Sequence, residues 1–412
     1  MAWKFCLNSA DRAGKVRTCA GFGLLLFAVP LTHANPLAAL WTAPAILIAS
    51  VLITWGAESA QFFVAQGFAL AILAWMQTLP EFAVEAVLAW KQQTGLLLAN
   101  LTGALRLLTG LAWPLVYITA AVFHRRRTGL PLKKISLDTH HSVEVIALIP
   151  PLTYALVIWW KANLHIFDAA VLIAIYIAYL AVLSQLPAKG REDINELEWV
   201  PRTIVQAPRR WRVTAIAMCF VTGGALIYFM AEPFLGSMVA VAGAIGLPTF
   251  VVIQWLAPVI SEFPEIASTF YFARQEDQAP VGIMNITSSN INQWTLLVAM
   301  LPIVFSMSQG ALTGFALDGE QRSELLLTIA QSVTSVTILL TMEFEAWEAV
   351  LMLLLFAAQF VLPAAIGAKA REVISAAFGL WTACELIRLA ARRKMPPAFS
   401  GFRETWRSHV TD

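Results

Sequence analysis

Residues 77–81 read Gln-Thr-Leu-Pro-Glu and residues 261–265 read Ser-Glu-Phe-Pro-Glu, and both stretches lie deep inside apolar sequence. A carboxylate near the middle of a bilayer is energetically costly, so such residues are rare and usually functional. Proline has no N–H and its ring displaces the carbonyl one turn earlier, which frees the carbonyls of Met76 and Ile260. A freed carbonyl beside a buried carboxylate has the outline of a cation site in a broken helix. Its occurrence twice predicts a duplicated transporter.

The composition predicts an integral membrane protein with many spans. The chain has 412 residues, of which 58% are hydrophobic and only 13% are charged. Many of its segments exceed the roughly 20 apolar residues that cross a bilayer. The four cysteines are scattered without a CxxC pair or a metal-ligand spacing, so we interpret them as isolated apolar thiols.

Hydropathy predicts twelve membrane spans. They are 18–33, 37–56, 60–89, 95–123, 142–160, 167–186, 213–235, 240–273, 280–308, 325–342, 346–367 and 373–391. The first span also resembles a signal peptide with a cleavage site near Ala34, so we keep two interpretations, a retained membrane span and a cleaved signal peptide. The segments 60–89 and 240–273 are longer than one crossing needs, which a tilt, a proline break or a re-entrant turn can absorb.

Lysine and arginine are distributed very unevenly between the two sides of this topology. One side holds 22 of the 28 basic residues, the other side holds 5, and Arg106 lies within a span. Cytoplasmic loops carry the excess of basic residues in membrane proteins. We therefore expect both termini and the loops after residues 123 and 186 to face the cytoplasm, in a multi-pass protein of the bacterial inner membrane.

The chain divides into two similar halves around its longest polar stretch. We expect an N-terminal segment at 1–36, a first half at 37–186, a cytoplasmic linker at 187–212, a second half at 213–368, and a C-terminal helix with a cytoplasmic tail at 369–412. About twenty residues after each Pro-Glu pair comes an Asn-x-Thr motif, at Asn100 and at Asn285. Five spans separate the repeats, so they run in opposite directions, as in many secondary transporters.

The duplicated motifs resemble those of the sodium/calcium exchanger group of cation antiporters. In that family, Gly-Thr-Ser-x-Pro-Glu is followed by Gly-Asn-x-x-Gly-Ser-Asn, and the pattern occurs twice. The resemblance is good over about 37–123 and 213–308, and it covers the remaining spans by count and order. It implies an all-α polytopic membrane protein with two inverted five-helix repeats, broken Pro-Glu helices and an extra helix at each end.

The resemblance also implies the ion-binding residues. The two family glutamates fall on Glu81 and Glu265, and a further carboxylate stands at Glu262. The expected ligand set for the transported cation is Glu81, Glu265, Glu262, Ser261, Gln77, Thr78, Ser289, Gln293, Asn285, Asn290 and Asn100. The chain departs from the family pattern at Ala104, Leu105 and Leu108, where the first repeat loses polar side chains, and at Arg106, which is an added charge.

Several of these residues permit more than one interpretation. Glu262 and Glu265 lie three residues apart on one helix face, so they hold a proton or a cation between them unless Glu262 pairs with a basic side chain. Glu85 continues the face of Glu81, and we expect a residue at the mouth or a snorkelling side chain. Arg106 is expected to pair with Glu81 or Glu262 as a site-modulating charge, or alternatively with Glu85.

His140 and His141 precede a span and could suggest zinc. Without a cysteine or carboxylate at ligand spacing, we interpret them as an interfacial pair.

The sequence therefore predicts a secondary cation antiporter, not an enzyme, which exchanges Ca²⁺ for Na⁺ or H⁺ at a midplane carboxylate site. The alternatives are a transporter of another cation with proton coupling, and a non-transporting sensor or scaffold, which the eroded first repeat favours. No cofactor is expected, and the absence of a phosphate-binding glycine loop argues against ATP. The expected partners are the lipid bilayer and small cations, without nucleic acid.

Overall fold

The computed structural model describes residues 35–60, 62–63, 75, 78–185, 197–275, 277–392 and 394–409. The helices are α1 Ala39–Ala60, α2 Leu79–Trp90, α3 Thr94–Thr128, α4 Thr139–Lys161, α5 Ile166–Leu183, α6 Trp199–Gln206, α7 Arg209–Ile245, α8 Thr249–Ser261, α9 Phe263–Arg274, α10 Ala279–Gln309, α11 Gly319–Leu339, α12 Ala346–Ile366, α13 Lys369–Ala391 and α14 Pro397–His409. The described residues also form four strands of three residues each: β1 Lys134–Ser136, β2 Asn163–His165, β3 Gly314–Ala316 and β4 Glu343–Glu345.

The helices confirm a polytopic membrane protein. Within the described residues, eight helices are long and apolar enough to cross a membrane, and there are nine such spans if α8 and α9, which bend by 54° where they meet, are counted as one. Helix α11 contains most of the predicted span 325–342, but it runs from Gly319 to Leu339 and is not among these eight. The predicted first span, 18–33, lies outside the described residues, and so does most of 60–77.

Two predicted boundaries differ from the structure. Helix α7 continues through Pro233 to Ile245 and ends at Gly246, whose φ of 70° is left-handed and ends the helix without a steric cost. The predicted spans 213–235 and 240–273 therefore meet at Gly246, and the second one begins at Thr249. The linker 187–212 is partly helical, because α6 lies within it and α7 begins at Arg209.

Two short β-ribbons reveal the relation between the halves. Strand β1 pairs with β4, and β2 pairs with β3, each in an antiparallel register. Each ribbon therefore takes one strand from each half. When the halves are aligned, β1 corresponds to β3 and β2 to β4, so one pairing becomes the other. Because α4 separates β1 from β2, the two ribbons lie at opposite membrane faces, as an inverted repeat requires.

The long helices α3 and α10 also match one another. Each contains one π-helical turn, at Leu108–Ala112 in α3 and at Gln293–Leu297 in α10. The two turns are separated by the same offset in the chain as the Asn-x-Thr motifs at Asn100 and Asn285. Single π turns inside α-helices often occur at functional sites, because the inserted residue redirects side chains.

Glycine brings the two halves into close contact near the centre. An added Cβ at Gly103 on α3 would lie 1.8 Å from the carbonyl oxygen of Gln254 on α8. No other residue type fits there without a movement of the backbone. The contact joins a helix of the first half to the broken helix of the second.

Candidate functional site

One side-chain amide donates hydrogen bonds to two glutamates, one from each half of the chain. The Nε2 atom of Gln293, at the start of the π turn in α10, donates to Glu81 Oε2 at 2.8 Å and to Glu262 Oε1 at 3.0 Å. All three side chains are at most 2% exposed. Gln293 lies 212 residues from Glu81 in the chain and 31 residues from Glu262, so helix packing creates this arrangement.

Glu265 lies beside this group. Its carboxyl group is close to that of Glu262, and its charge also acts on Glu81. Ser289 on α10 also lies close to Glu265. Three carboxyl groups are therefore collected in a buried volume to which one amide donates two hydrogen bonds.

A fourth carboxyl group extends the site. Glu85 lies one turn after Glu81 on α2, it is fully buried, and its Oε1 atom accepts from Asn100 Nδ2 at 3.2 Å. The expectation that Glu85 lies at the mouth or snorkels is therefore wrong. Helices α2 and α3 pack together and cover this side chain, which hydropathy alone did not indicate.

The local sequence explains why the carboxyl groups lie where the helices begin. Proline stands in the first turn of both α2 and α9, where its missing N–H costs no helical hydrogen bond. Glu81 and Glu265 follow directly, also in the first turn. The positive end of the helix dipole favours an ionised carboxylate at this position. In the second half, this helix start coincides with the break between α8 and α9, which bend by 54°.

Many oxygens of the site have no hydrogen-bond donor. They are Glu81 Oε1, Glu85 Oε2, both carboxylate oxygens of Glu265, and the amide oxygens of Asn100, Asn290 and Gln293. Buried polar groups without partners are rare in folded proteins, and buried charges require neutralisation. Cations or protons bound here would supply the missing partners. Carboxylate and amide oxygens are the ligands that Ca²⁺ takes, and carboxylates also bind protons.

Other residues of the predicted ligand set lie near the site but have partners. Thr78 and Ser261 are buried, and their hydroxyls donate to the carbonyls of Trp75 and Ala257 at 2.9 Å and 3.3 Å.

The predicted asparagine ligands differ from one another. Asn290 is buried and donates to a backbone carbonyl, which leaves its side-chain oxygen available. Asn285 is half-buried and donates to Ser268 at 3.3 Å. Gln77 lies outside the described residues.

The partner predicted for Arg106 is wrong. Its Nη2 atom donates to Glu324 Oε2 on α11 at 2.6 Å, and neither Glu81, Glu262 nor Glu85 accepts from it. The guanidinium also donates to Gln359 Oε1 at 3.1 Å and lies over the Trp255 ring. An arginine this deeply buried keeps its charge and needs an acidic partner, and α11 supplies one that sequence reasoning missed.

A second polar network surrounds this ion pair. Glu324 also accepts from Gln254 on α8 at 2.9 Å and pairs with Arg371 of α13. Gln331, two turns after Glu324, donates to the carbonyl of Arg106 at 2.9 Å. One signal could have revealed the network: α11 is unusually polar for a span, and Glu324 and Gln331 lie on one face of it. The network ties α3, α8, α11 and α13 together.

The fold and the buried carboxylates at the junction of two inverted halves define a secondary transporter of cations. A family model described as sodium/calcium exchanger protein matches residues 33–185 and 215–364. The chain therefore belongs to the sodium/calcium exchanger family, whose members are cation antiporters.

One solved structure supports the family assignment, and a second shares the fold. The crystal structure of an H⁺/Ca²⁺ exchanger, CAX, is 31% identical, covers 95% of each chain and superposes with a TM-score of 0.84. The sodium-calcium exchanger NCX_Mj, soaked with Na⁺ and Ca²⁺, is 17% identical, covers 79% of this chain and 96% of its own, and has a TM-score of 0.52. The search of curated protein sequences found no match.

Proposed function

We propose that the protein exchanges Ca²⁺ for protons at the site formed by Glu81, Glu262 and Glu265. The observation that carries this proposal is the group of buried carboxylate oxygens that lack a donor. A divalent cation neutralises two carboxylates at once, and protons neutralise the same groups when the cation leaves. Exchange at one site then follows, because the two cargoes compete for the same oxygens.

The choice of protons over Na⁺ rests on two observations. The chain shares 31% identity and nearly its full length with a protein described as an H⁺/Ca²⁺ exchanger, and it is only 17% identical to NCX_Mj. The site is also rich in carboxylates: Glu262 and the fully buried Glu85 accompany the two Pro-Glu glutamates. Carboxylates bind protons, whereas amides and hydroxyls do not at ordinary pH.

The residues divide into proposed roles. Glu81 and Glu265 are the central ligands, because each stands at a helix start in its own half. Glu262 shares the amide of Gln293 with Glu81, so it alternates between a ligand and a proton carrier. Glu85, one helical turn after Glu81, also alternates between a ligand and a proton carrier, and Asn100 donates a hydrogen bond to it. Further oxygens come from Ser289, Asn290, Ser261 and Thr78.

A second candidate is exchange against Na⁺. The second half favours it, because Ser289 lies close to Glu265 and Asn290 keeps a free side-chain oxygen, and Na⁺ takes such neutral oxygen ligands. The two candidates differ in the gradient that drives Ca²⁺ movement.

Flux into proteoliposomes tests the proposal. Vesicles with an acidic interior should accumulate radioactive Ca²⁺ from an alkaline medium without Na⁺, and a protonophore that collapses the gradient should abolish the uptake. Uptake driven only by an outward Na⁺ gradient would mean that the coupling ion is Na⁺ and not H⁺. Absence of uptake under both gradients, in a correctly folded protein, would refute antiport and favour the sensor or scaffold.

Glu81→Gln and Glu265→Gln should each abolish uptake while the protein stays folded, because charge neutralisation of Ca²⁺ needs both carboxylates. Glu232→Gln is the matched control, since Glu232 is an exposed glutamate that pairs with Lys91 and should leave uptake unchanged. Normal uptake by Glu81→Gln or Glu265→Gln at equal protein levels would contradict the site assignment.

The proposal also includes the orientation of the protein in the membrane. The face of the β1–β4 ribbon lies beside the basic end of α3 and would face the cytoplasm of a bacterial cell. The C-terminal helix α14 packs against this face, because Ala398 donates its N–H to the carbonyl of Leu340 at 3.2 Å.

A further inference from the structure

A group of metal-ligating side chains lies outside the carboxylate site, at the membrane face of the β1–β4 ribbon. Asp138, His140 and His141 follow β1, and one ligand atom from each lies within 4.8 Å of the others. The Nε2 atom of His141 is 3.9 Å from Asp138 Oδ2. The imidazole ring centroids of the two histidines are 4.1 Å apart. The group thus contains the carboxylate that the sequence interpretation of the histidine pair did not find.

The local backbone explains why these side chains converge. Thr139–His141 forms a single 3₁₀ turn that Asp138 precedes. Asp138 occupies the N-cap position and His141 the third position of the turn, and side chains at these two positions face each other, as in a capping box. The His141 side chain is 1% exposed and the Asp138 side chain is 72% exposed, so the group has one anchored ligand and one ligand open to solvent.

The second half of the molecule provides an internal comparison. The alignment of β1 with β3 places Asp138 on Asp318 and His141 on Gln321. There the two side chains cap α11 reciprocally: Gln321 N–H donates to Asp318 Oδ1 at 2.8 Å, and Asp318 N–H donates to Gln321 Oε1 at 3.1 Å. In the first half, the Asp138 side chain makes no capping bond to its helix. The same backbone position therefore carries a capping pair in one half and a converging Asp-His-His group in the other.

We propose that Asp138, His140 and His141 form a binding site for a divalent transition metal, with Zn²⁺ the best match. Imidazole nitrogen and carboxylate oxygen are Zn²⁺ ligands, at about 2.0–2.2 Å from the metal. Tetrahedral ligands at that distance lie about 3.4 Å from one another. The three ligand atoms lie up to 4.8 Å apart in this structure. Inward rotation of the exposed Asp138 and the half-buried His140 side chains brings them to the distance that Zn²⁺ requires, and water completes the coordination.

The place of the site in the fold gives the metal a structural consequence. Helix α14 lies against the same turn: an added Cβ at Gly401 would be 3.1 Å from Thr139 Cγ2 and 3.2 Å from Ser142 Oγ. A metal that fixes the turn also fixes the surface on which the C-terminal helix docks. The Zn²⁺ site thus differs from the transport site in ligand chemistry, in depth and in accessibility.

The test is Zn²⁺ binding to the purified full-length protein with its cysteines replaced by serine and with Glu81→Gln and Glu265→Gln in the background. These changes remove the thiols and the two central carboxylates of the transport site as competing ligands. Competition with a chromogenic chelator measures the affinity and the number of ions. Co²⁺ absorption reports whether nitrogen ligands are bound. We expect one ion per chain.

The variants that decide are His141→Gln and Asp138→Asn. His141→Gln installs the Asp-Gln pair that caps α11 in the second half, so the turn should fold without metal. Asp138→Asn changes an exposed side chain and provides a second, independent variant. Each should weaken Zn²⁺ binding at least tenfold, while His124→Gln, a histidine on α3 outside the group, should not. Binding that is unchanged in both variants, or equally weakened by His124→Gln, would overturn the proposal.

Discussion

Arg106→Ala should destabilise the protein and leave the ion coupling unchanged. The side chains of Arg106 and Glu324 are 2% and 4% exposed, so the variant removes one partner of a buried ion pair. Arg106 also donates to Gln359 and, through Nε, to the carbonyl of Thr102 at 3.0 Å. The truncation leaves Gln359 Oε1 without this donor and opens a cavity beside Trp255, while the Thr102 carbonyl keeps its backbone donor in the helix.

The magnitude follows from what remains in the network. Loss of one partner of a buried ion pair costs about 3–5 kcal/mol, because the other charge stays buried. Here Glu324 keeps Arg371 and Gln254, so its charge is still partly compensated. We therefore expect about 3 kcal/mol, the lower end of the range. Arg126→Ala is the control, since Arg126 is exposed and its loss should change stability by no more than about 0.5 kcal/mol.

Two measurements together show whether Arg106 acts in stability or in ion coupling. Denaturant unfolding or melting in detergent reports stability, and the reversal potential in proteoliposomes reports the coupling ratio. A double-mutant cycle with Glu324→Gln should return an interaction energy of about 0.5–3 kcal/mol. A changed coupling ratio in a stable Arg106→Ala protein would refute this reasoning. That outcome would mean that the guanidinium acts at the carboxylate site despite its contacts.

Gly103→Ala should severely impair folding, because the new Cβ would lie 1.8 Å from the Gln254 carbonyl oxygen; Gly379→Ala, where the Cβ meets nothing within 4 Å, should leave expression and melting temperature unchanged. Single cysteines at positions 130 and 320, in a cysteine-free background, should react differently with an impermeant thiol reagent on whole cells. Labelling at 320 and protection at 130 are expected, and the reverse pattern would contradict the proposed orientation.

Much of the architecture can be predicted, because spans and repeats are recorded in local sequence. A buried helix needs a run of apolar residues, and a helix that starts in the membrane needs proline or another helix-starting residue. Both features are visible without a partner. The predicted boundary at 235 is wrong because Glu232-Pro233 resembles a helix end, yet proline is tolerated inside the long helix α7.

The residues of the site are predictable from the sequence, but their contacts are not. The motif positions predict Glu81, Glu262, Glu265 and Gln293 as ligands, and helix packing brings them together. The burial of Glu85 does not follow from the sequence, because exposure depends on which helix lies opposite, and α3 takes that position only in the folded molecule.

The sequence by itself determined the class of fold, the duplication and the two acidic helix starts, because each depends on residues close together in the chain. Tertiary structure decided the rest. The partner of Arg106 lies 218 residues away, and the amide that Glu81 shares with Glu262 lies 212 residues from Glu81. Such pairs depend on how two inverted halves pack, and packing chooses among several acidic residues that are equivalent in sequence. The physical reason is that a buried charge takes the partner that geometry brings within hydrogen-bonding distance.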